Sequence, residues 1–321
     1  MKTIAEKSVK FIEVLGESNL RESPLISIII PTYNRPEQLN ACLLSLTQQR
    51  FDSSRFEVIV VDDGSPTSIE ALAGRFLDRL ELRIIRQQDN RGPAAARNIG
   101  AYYARGEILA FTDDDCRPDT NWLPSLRALF RRYPDRLIGG KTLNLLKENV
   151  YSEASQLIID FVYAHYNVDH ENARFFASNN MAVPALDFHT LGGFNPSFRT
   201  AEDREFCDRW RHSGRHMIFA KDAIVKHTHN LTLSSYFFQH FKYGQGAYQY
   251  HLIRAHRGSG SIWKDLTFYN SLAHLMRQSF SGLGVMLTCS LLALLLLWQV
   301  ANAVGAIWEG ASQLRFTCSK L

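Results

Sequence analysis

Three consecutive carboxylates follow a short apolar run in the segment FTDDDC, residues 111–116. Like charges placed side by side repel one another, so this arrangement favours a cation site over an ordinary loop. Carboxylate oxygens are suitable ligands for Mg²⁺ and Mn²⁺. We therefore predict that Asp113 and Asp115 share a divalent ion, and that the ion holds a diphosphate.

A second acidic pair, Asp62 and Asp63, occurs in VVDDGS at residues 60–65. The Asp-Gly-Ser sequence by itself favours a turn. If this pair lies close to the carboxylates of residues 113–115, Asp62 or Asp63 would instead accept a hydrogen bond from the base or the ribose of a nucleotide. The sequence has no GxxxxGK motif followed by Ser or Thr, and no GxGxxG follows its first apolar run. A diphosphate here would therefore have to be neutralised by a metal rather than by a glycine-rich loop.

Strand and helix patterns alternate around these acids. Proline at positions 36 and 93 can open helices between short apolar runs, which are LISIIIP (25–31), FEVIVVDDGS (56–65), LRIIRQ (82–87) and EILAFTDDD (107–115). This alternation predicts an α/β fold with an open, mostly parallel sheet flanked by helices. Ligands bind beyond the carboxyl ends of the strands in such sheets, so PTYN, DDGS and TDDDC should converge on one edge.

A further acidic pair, Glu202 and Asp203, begins a predicted helix that contains Phe206 and Trp210. The helix dipole favours an ionised carboxylate at this end, ready to accept a proton. The same dipole weakens the base, so the pocket must compensate. The alternative interpretation is the ordinary preference of acids for the start of a helix.

Three aromatic residues also have two interpretations. Trp122, Trp210 and Tyr243 could form faces that bind acceptor sugars, or they could be core residues.

Six segments in order over residues 25–230 resemble the family 2 glycosyltransferases, which are inverting, metal-dependent nucleotide-sugar transferases of the GT-A fold. These segments are SIIIPTYNRPEQL (27–39), VVDDGS (60–65), NRGPAAARNIGAYYARGEILAFTDDD (90–115), SNNMAVP (178–184), GGFNPSF (192–198) and AEDREFCDRW (201–210).

The resemblance implies a role for each matching residue. Asp203 is the catalytic base, with Glu202 beside it, and Asp113, Asp115 and His227 hold the metal. The implied substrate contacts are Pro31, Tyr33, Asp63, Arg97 and Asp114. His227 has an ordinary alternative, because His229 lies two residues away and histidines at the surface or in the core are common.

The implied reaction moves a sugar from a nucleotide-diphosphate sugar, for which we expect a UDP-sugar, to an acceptor hydroxyl. The acceptor is a glycan or a lipid-linked saccharide, and the cofactor is Mn²⁺ or Mg²⁺. The alternative function is a membrane-attached nucleotide-sugar binding protein without turnover, which would have no need of the pair Glu202-Asp203. A nucleotidyltransferase would need a basic, glycine-rich loop after the first strand, and PTYNRP is not one.

Composition narrows the class of protein further. The net charge of the 321 residues is only +4, and Lys and Arg are scattered along the chain, which argues against a nucleic-acid partner. The five cysteines show no CxxC spacing, so neither a zinc site nor a disulfide framework is indicated. A reducing cytosol fits this cysteine usage best.

No charged residue occurs from Gly282 to Trp308, and about 20 apolar residues suffice to cross a bilayer. We expect this segment to span or insert into a membrane, with the catalytic domain on the cytoplasmic side. A buried core helix is the alternative. The predicted organisation is an N-terminal extension (1–24), a catalytic domain (25–230), a membrane-proximal helical region (231–281), the membrane segment (282–308) and a short tail (309–321).

Overall fold

The computed structural model describes residues 9–10, 24–260 and 282–318, with isolated positions between the last two ranges. Its strands are β1 (Val9–Lys10), β2 (Ile26–Thr32), β3 (Phe56–Asp62), β4 (Leu82–Gln87), β5 (Ile108–Thr112), β6 (Cys116–Pro118), β7 (Leu137–Asn144), β8 (Asn180–Pro184) and β9 (Met217–His227). Its helices are α1 (Pro36–Leu46), α2 (Glu70–Ala73), α3 (Pro93–Tyr103), α4 (Trp122–Arg132), α5 (Val150–Tyr166), α6 (Ala185–Thr190), α7 (Glu202–His212), α8 (Leu233–Arg257) and α9 (Val285–Cys318).

The strands form one open sheet in the order β1-β4-β3-β2-β5-β8-β7-β9-β6. The half that contains β2 to β5 is parallel, as the sequence pattern predicts. Every residue of β3 is buried, which explains its unbroken apolar run. The predicted α/β class with a sheet flanked by helices is therefore confirmed.

The second half of the sheet is mixed in direction. Strand β8 runs antiparallel to both β5 and β7, while β7 pairs in parallel with β9. Strand β6 closes the far edge, antiparallel to β9, and so places Cys116 opposite His227. At the other edge, the two residues of β1 pair with β4, although they belong to the predicted N-terminal extension. The pairing of β6 with β9 brings the acidic segment of residues 113–115 next to a histidine that is remote in sequence.

Helices cover both faces of the sheet. Helices α1 and α4 pack on one face, through residues such as Leu43 and Leu126. On the other face, α3 presses closely onto β2, because a Cβ atom at Gly100 would lie only 2.5 Å from Cγ2 of Ile29. This contact requires a residue without a side chain at position 100. It fixes the start of α3, and with it Arg97, relative to the strand ends.

Helices α8 and α9 lie side by side. The Tyr236 hydroxyl donates to the Leu294 carbonyl at 3.0 Å, and a Cβ atom at Gly244 would lie 2.1 Å from the Asn302 carbonyl oxygen. The segment from residue 285 to residue 313 contains an 18-residue window with a mean hydropathy of 1.9 and is long and apolar enough to cross a membrane. Since α9 continues to Cys318, the helix extends into the predicted tail. Most of the stretch from residue 261 to residue 281 lies outside the described residues.

Candidate active site

A large cavity of about 1690 Å³ opens at the edge where β2, β3 and β5 end. Its lining includes all ten residues that the sequence singles out, which are Pro31, Tyr33, Asp63, Arg97, Asp113, Asp114, Asp115, Glu202, Asp203 and His227. The strand ends therefore meet as expected from a parallel sheet. Tyr33 is half exposed at the rim, whereas Asp63 and Arg97 are buried.

Asp63 is held in place by three N–H donors. Its carboxylate accepts from Gln87 Nε2 at 2.7 Å and from the backbone N–H groups of Arg91 and Gly92, each at 2.8 Å. Burial raises the pKa of Asp63, and the two backbone donors work against that rise. The neighbouring Asp62 accepts from the backbone N–H of Ser65 at 2.9 Å and so closes the turn. The turn and the cavity-facing carboxylate thus belong to adjacent residues of one motif.

The three consecutive carboxylates face different partners. Asp113 accepts from Arg97, and Asp114 accepts from the Thr32 hydroxyl at 2.7 Å. Asp115 lies 3.0 Å from Nη1 of Arg35, which also reaches Asp114 at 3.3 Å. Burial and the adjacent Asp115 raise the pKa of Asp114 to about 7. Two arginines, Arg35 and Arg97, therefore face the three carboxylates at this end of the cavity.

Asp115 and His227 form the best-fitting part of a metal site. Asp115 Oδ1 and His227 Nε2 lie 3.1 Å apart, and both fall in a group with Cys116 whose ligand atoms lie within 4.8 Å of one another. Although burial favours the neutral acid, His227 lowers the pKa of Asp115 well below its usual range. Burial raises the pKa of the Cys116 thiol, so the oxygen and nitrogen atoms remain as donors for a hard divalent ion.

Asp113 lies outside this ligand group. It pairs with the buried Arg97, which also donates to Glu202 Oε1 at 2.8 Å. Arg97 therefore links the acidic strand end to the start of α7. The side chains of Asp113 and Glu202 are 28% and 8% exposed, so Asp113 is the more accessible partner of this arginine.

Asp203 lies in the first turn of α7, directly after Glu202. The preceding Ala201 has a φ of 67°, in the left-handed region that residues with a side chain rarely adopt. Asp203 Oδ1 accepts from the backbone N–H of Arg204 at 2.7 Å. Burial raises the pKa of Asp203 and thereby counteracts the helix dipole. Burial and the adjacent Asp203 also raise the pKa of Glu202 to about 7.

Several lining residues had no assigned role in the sequence. Arg35 and Thr32 contact the acidic segment, and Arg35 was recognisable only as a cation in PTYNRP. The remaining wall comes from α9, through Gln299 and Asn302, and from α8. On α8 it includes Tyr243, which the sequence offered as a face for an acceptor sugar or as a core residue and which is half exposed. No short motif marks these helices. Trp122 and Trp210 are fully buried and donate to Asn180 and to a backbone carbonyl, so both are core residues.

This open sheet flanked by helices, with acidic residues at its strand ends, is a fold of the GT-A type. A family model, glycosyl transferase family 2, matches residues 27–201. The match covers more than half of the chain, and the chain therefore belongs to this family.

Curated relatives share this part of the chain. The pre-mycofactocin glycosyltransferase of Mycobacterium tuberculosis is 27% identical over 228 residues, which are 69% of this chain and 46% of the relative. The validoxylamine A glucosyltransferase of Streptomyces hygroscopicus subsp. limoneus is 28% identical over 246 residues, 66% of this chain and 54% of the relative. Glycosyltransferase AglE of Haloferax volcanii is 42% identical over 103 residues, 31% of this chain and 33% of the relative. The chain thus spans between a third and just over half of these relatives.

Solved structures share the fold. The mannosyltransferase PcManGT from Pyrobaculum calidifontis, in complex with GDP-Man and Mn²⁺, superposes with a TM-score of 0.63 at 17% identity, over 93% of this chain and 91% of that one. S. aureus TarS 1–349, in complex with UDP-GlcNAc, superposes with a TM-score of 0.58 at 17% identity, over 86% and 81%.

Proposed function

We propose that this protein transfers a sugar from a nucleotide-diphosphate sugar to an acceptor hydroxyl, with inversion at the anomeric carbon. The observation that carries the proposal is that Asp63, Asp115, His227 and Asp203 all line one cavity. We assign Asp63 to the nucleoside, Asp115 and His227 to a cation, and Asp203 to the role of base. Family membership supports the same activity.

The donor occupies the strand-end side of the cavity in this proposal. Asp63, already fixed by three N–H groups, offers its remaining lone pairs to the base or ribose. Tyr33 and Pro31 form the adjacent wall, and Arg97 and Asp114 lie toward the diphosphate. A UDP-sugar is the proposed donor, which the UDP-GlcNAc complex of TarS supports, while the GDP-Man complex of PcManGT shows that the fold also accepts a guanine nucleotide.

Asp113, Asp115 and His227 are the proposed residues for Mn²⁺ or Mg²⁺. When bound, such an ion neutralises charge on the departing nucleotide diphosphate. Arg35 lies 3.0 Å from Asp115 and can turn its guanidinium toward the phosphate oxygens. Arg97 holds Asp113 and Glu202 in fixed positions around the same point.

Asp203 removes the proton from the attacking acceptor hydroxyl. Its raised pKa suits this role, because a base is most effective when its pKa lies close to the working pH. Glu202 is bound to Arg97 and lies beside the base. One displacement from the face opposite the leaving nucleotide inverts the configuration.

The acceptor is a saccharide or a lipid-linked saccharide, and α9 holds the enzyme at the membrane where a lipid-linked acceptor would arrive. The outward face of α9 is apolar, with Leu296 and Ile307 68% and 71% exposed. The catalytic domain lies on the cytoplasmic side, where sugar nucleotides are made. Restricting enzyme and acceptor to one surface raises the frequency of their encounters.

The test compares wild type with Asp203→Asn, supplied with Mn²⁺ and a panel of nucleotide sugars, by mass spectrometry of the products. We expect Asp203→Asn to lose about 10²–10⁴-fold in rate while binding UDP normally. The control is Asp222→Asn, which removes the same charge from an exposed residue outside the cavity. Turnover of Asp203→Asn at the wild-type rate would reject this base. Nucleotide binding by a wild type that transfers no sugar would favour a binding protein.

A further inference from the structure

Three arginines line the part of the cavity that is formed by α7, α8 and α9. These are Arg174, Arg204 and Arg211. Arg174 stacks over the ring of Tyr166 at 5.4 Å, and Arg204 over the ring of Phe175 at 5.7 Å. Among the residues that the structure describes, none of the three forms an ion pair with a carboxylate.

The neighbouring arginines are neutralised, in contrast. Arg209 pairs with Glu205 at 2.8 Å, and Arg257 pairs with Asp208 at 2.7 Å. The acids that follow the base on α7 are therefore already bound. Asp203 itself accepts from the backbone N–H groups of Arg204 and Ser178. Burial and the nearby Arg174 lower the pKa of Arg211, which reflects two like charges brought together.

The spacing along α7 places this charge close to the reaction. Arg204 directly follows the proposed base, and Arg211 lies seven residues further along the helix. Seven residues are two turns, so both side chains project from one face about 10 Å apart. An anion held between them would lie within two helical turns of the acceptor hydroxyl that Asp203 deprotonates.

Helix α9 contributes both apolar and polar residues to the cavity lining. The apolar ones are Trp298, Ala303 and Ala306, joined by Phe268, and the polar ones are Gln299, Asn302 and Glu309. A molecule that offers an anionic group to the arginines and an apolar portion to these apolar side chains would fit this lining. Such a molecule is an amphiphile with a phosphorylated head.

We infer that Arg174, Arg204 and Arg211 form a phosphate subsite for the acceptor, which is a saccharide joined through phosphate or diphosphate to a lipid. This inference rests on the proposed function, since it names the acceptor class of the same site. Arginine suits this role because its planar guanidinium donates paired hydrogen bonds to phosphate oxygens.

The experiment measures binding of farnesyl phosphate, farnesol and inorganic phosphate by titration calorimetry. The full chain is saturated with UDP and Mn²⁺, which fill the donor site. Wild type should bind farnesyl phosphate well above farnesol, and Arg174→Gln/Arg204→Gln/Arg211→Gln should lose that preference, by about tenfold for each arginine removed. The matched control, Arg50→Gln/Arg131→Gln/Lys221→Gln, removes equal charge from exposed residues outside the cavity and should bind like wild type.

The outcomes distinguish a lipid-linked phosphate from a soluble one, and both from the absence of a phosphate site at these arginines. Inorganic phosphate that binds as tightly as farnesyl phosphate, and is lost in the same variant, supports the arginine site with a soluble phosphorylated acceptor. Equal binding of farnesol and farnesyl phosphate by wild type, or unchanged binding by the triple variant, overturns the inference. If the triple variant fails to melt cooperatively, each single variant must show its own loss. Because UDP binding and donor turnover are read separately, failure of the proposed function is distinguishable from failure of this subsite.

Discussion

Asp203 experiences two opposing electrostatic effects. Its position in the first turn of α7 favours the ionised form, and burial favours the neutral acid. Burial prevails, so the carboxylate holds a proton more tightly than an exposed aspartate would. The strained φ of Ala201, directly before α7, fixes the direction from which the helix enters the cavity.

The raised pKa of Asp203 predicts the acid limb of the pH–rate profile. A general base acts only when deprotonated, so kcat/KM should fall as the pH drops through the raised pKa and not at the ordinary aspartate value of 3.8. The measurement is kcat/KM for sugar transfer from pH 4 to pH 9 with saturating Mn²⁺. A rate that stays constant down to about pH 4 would show that this carboxylate does not limit the reaction.

Arg97 predicts a stability effect that depends on pH. Arg97→Met leaves Glu202 buried beside Asp203 without its cation, and loss of one partner of a buried pair costs about 3–5 kcal/mol. The pKa of Glu202 is already raised from 4.5 to about 7 and should rise further in the variant. A carboxyl with a raised pKa stabilises the fold when protonated, and this contribution is lost as the pH increases through that pKa.

The free energy of unfolding of Arg97→Met should therefore fall further below wild type at pH 8 than at pH 5.5. Urea denaturation at both values measures the difference. The double variant Arg97→Met/Glu202→Gln should recover part of the loss at pH 8, because the buried charge is gone. An equal deficit at both pH values would contradict this account.

At the scale of elements, α8 and α9 meet through glycines. A Cβ atom at Gly305 would lie 2.0 Å from the Phe241 carbonyl oxygen, and one at Gly244 would lie 2.1 Å from that of Asn302. Close backbone contact of this kind is typical of small residues between helices. It sets the width of the cavity wall that α8 and α9 share.

Replacing these glycines should push the two helices apart. Gly305→Ala or Gly244→Ala should lower the free energy of unfolding by about 1–3 kcal/mol, the usual cost of overpacking. The control is Gly284→Ala, since a Cβ atom there would have no neighbour within 4 Å. Thermal melting of the three variants side by side measures the effect, and a Gly305→Ala variant as stable as Gly284→Ala would show that this contact is not close.

The elements differ in how well their sequences predicted them. Strands β2, β3 and β5 are mostly apolar runs, because both faces are buried, and each is followed by a recognisable polar group. The mixed pairing of β6 to β9 arises from contacts between residues far apart in the chain, which local patterns do not encode. Cys116 pairs with His227 in this way. Without the family resemblance, His227 could not have been placed beside Asp115.

In the candidate site, too, some residues could be predicted from the sequence and others could not. The carboxylates at the strand ends could be grouped from sheet geometry alone, and they do line one cavity. Their partners could not be, since Arg97 reaches Glu202 across more than a hundred residues of chain. The pairing of Asp113 and Asp115 on one ion remains a prediction, because Asp113 contacts Arg97 in the structure. The arginines of the proposed phosphate subsite belong to no sequence motif. They are recognisable only in the structure, because none of them forms an ion pair with a carboxylate of the described residues.

At the scale of the whole molecule, α9 has two different faces, one packed against the rest of the protein and one exposed. Its inner face is part of the core, where Leu291, Leu294 and Leu295 pack in the same apolar cluster as Phe161 of α5. Its outer face is exposed, with Leu296, Val300 and Ile307 one above another along the helix. The side that faces away from the protein is therefore the surface available to a bilayer. Deleting residues 281–321 would uncover the core as well as remove this surface, so point substitutions give the clearer test.

The triple variant Leu296→Ser/Val300→Ser/Ile307→Ser should detach the protein from membranes while leaving the inner face of α9 packed. Each buried apolar side chain contributes about 1.5–3 kcal/mol, so each substitution should weaken partitioning into vesicles about tenfold or more. Co-sedimentation with vesicles measures partitioning, and UDP binding reports an intact cavity. The control variant Leu44→Ser/Val168→Ser/Leu186→Ser alters exposed apolar residues elsewhere, at 43%, 78% and 79% exposure, and should sediment like wild type. If the α9 variant still sediments fully with vesicles, the outer face of α9 is not the attachment surface, and the helix cannot be what brings the cavity to a lipid-linked acceptor.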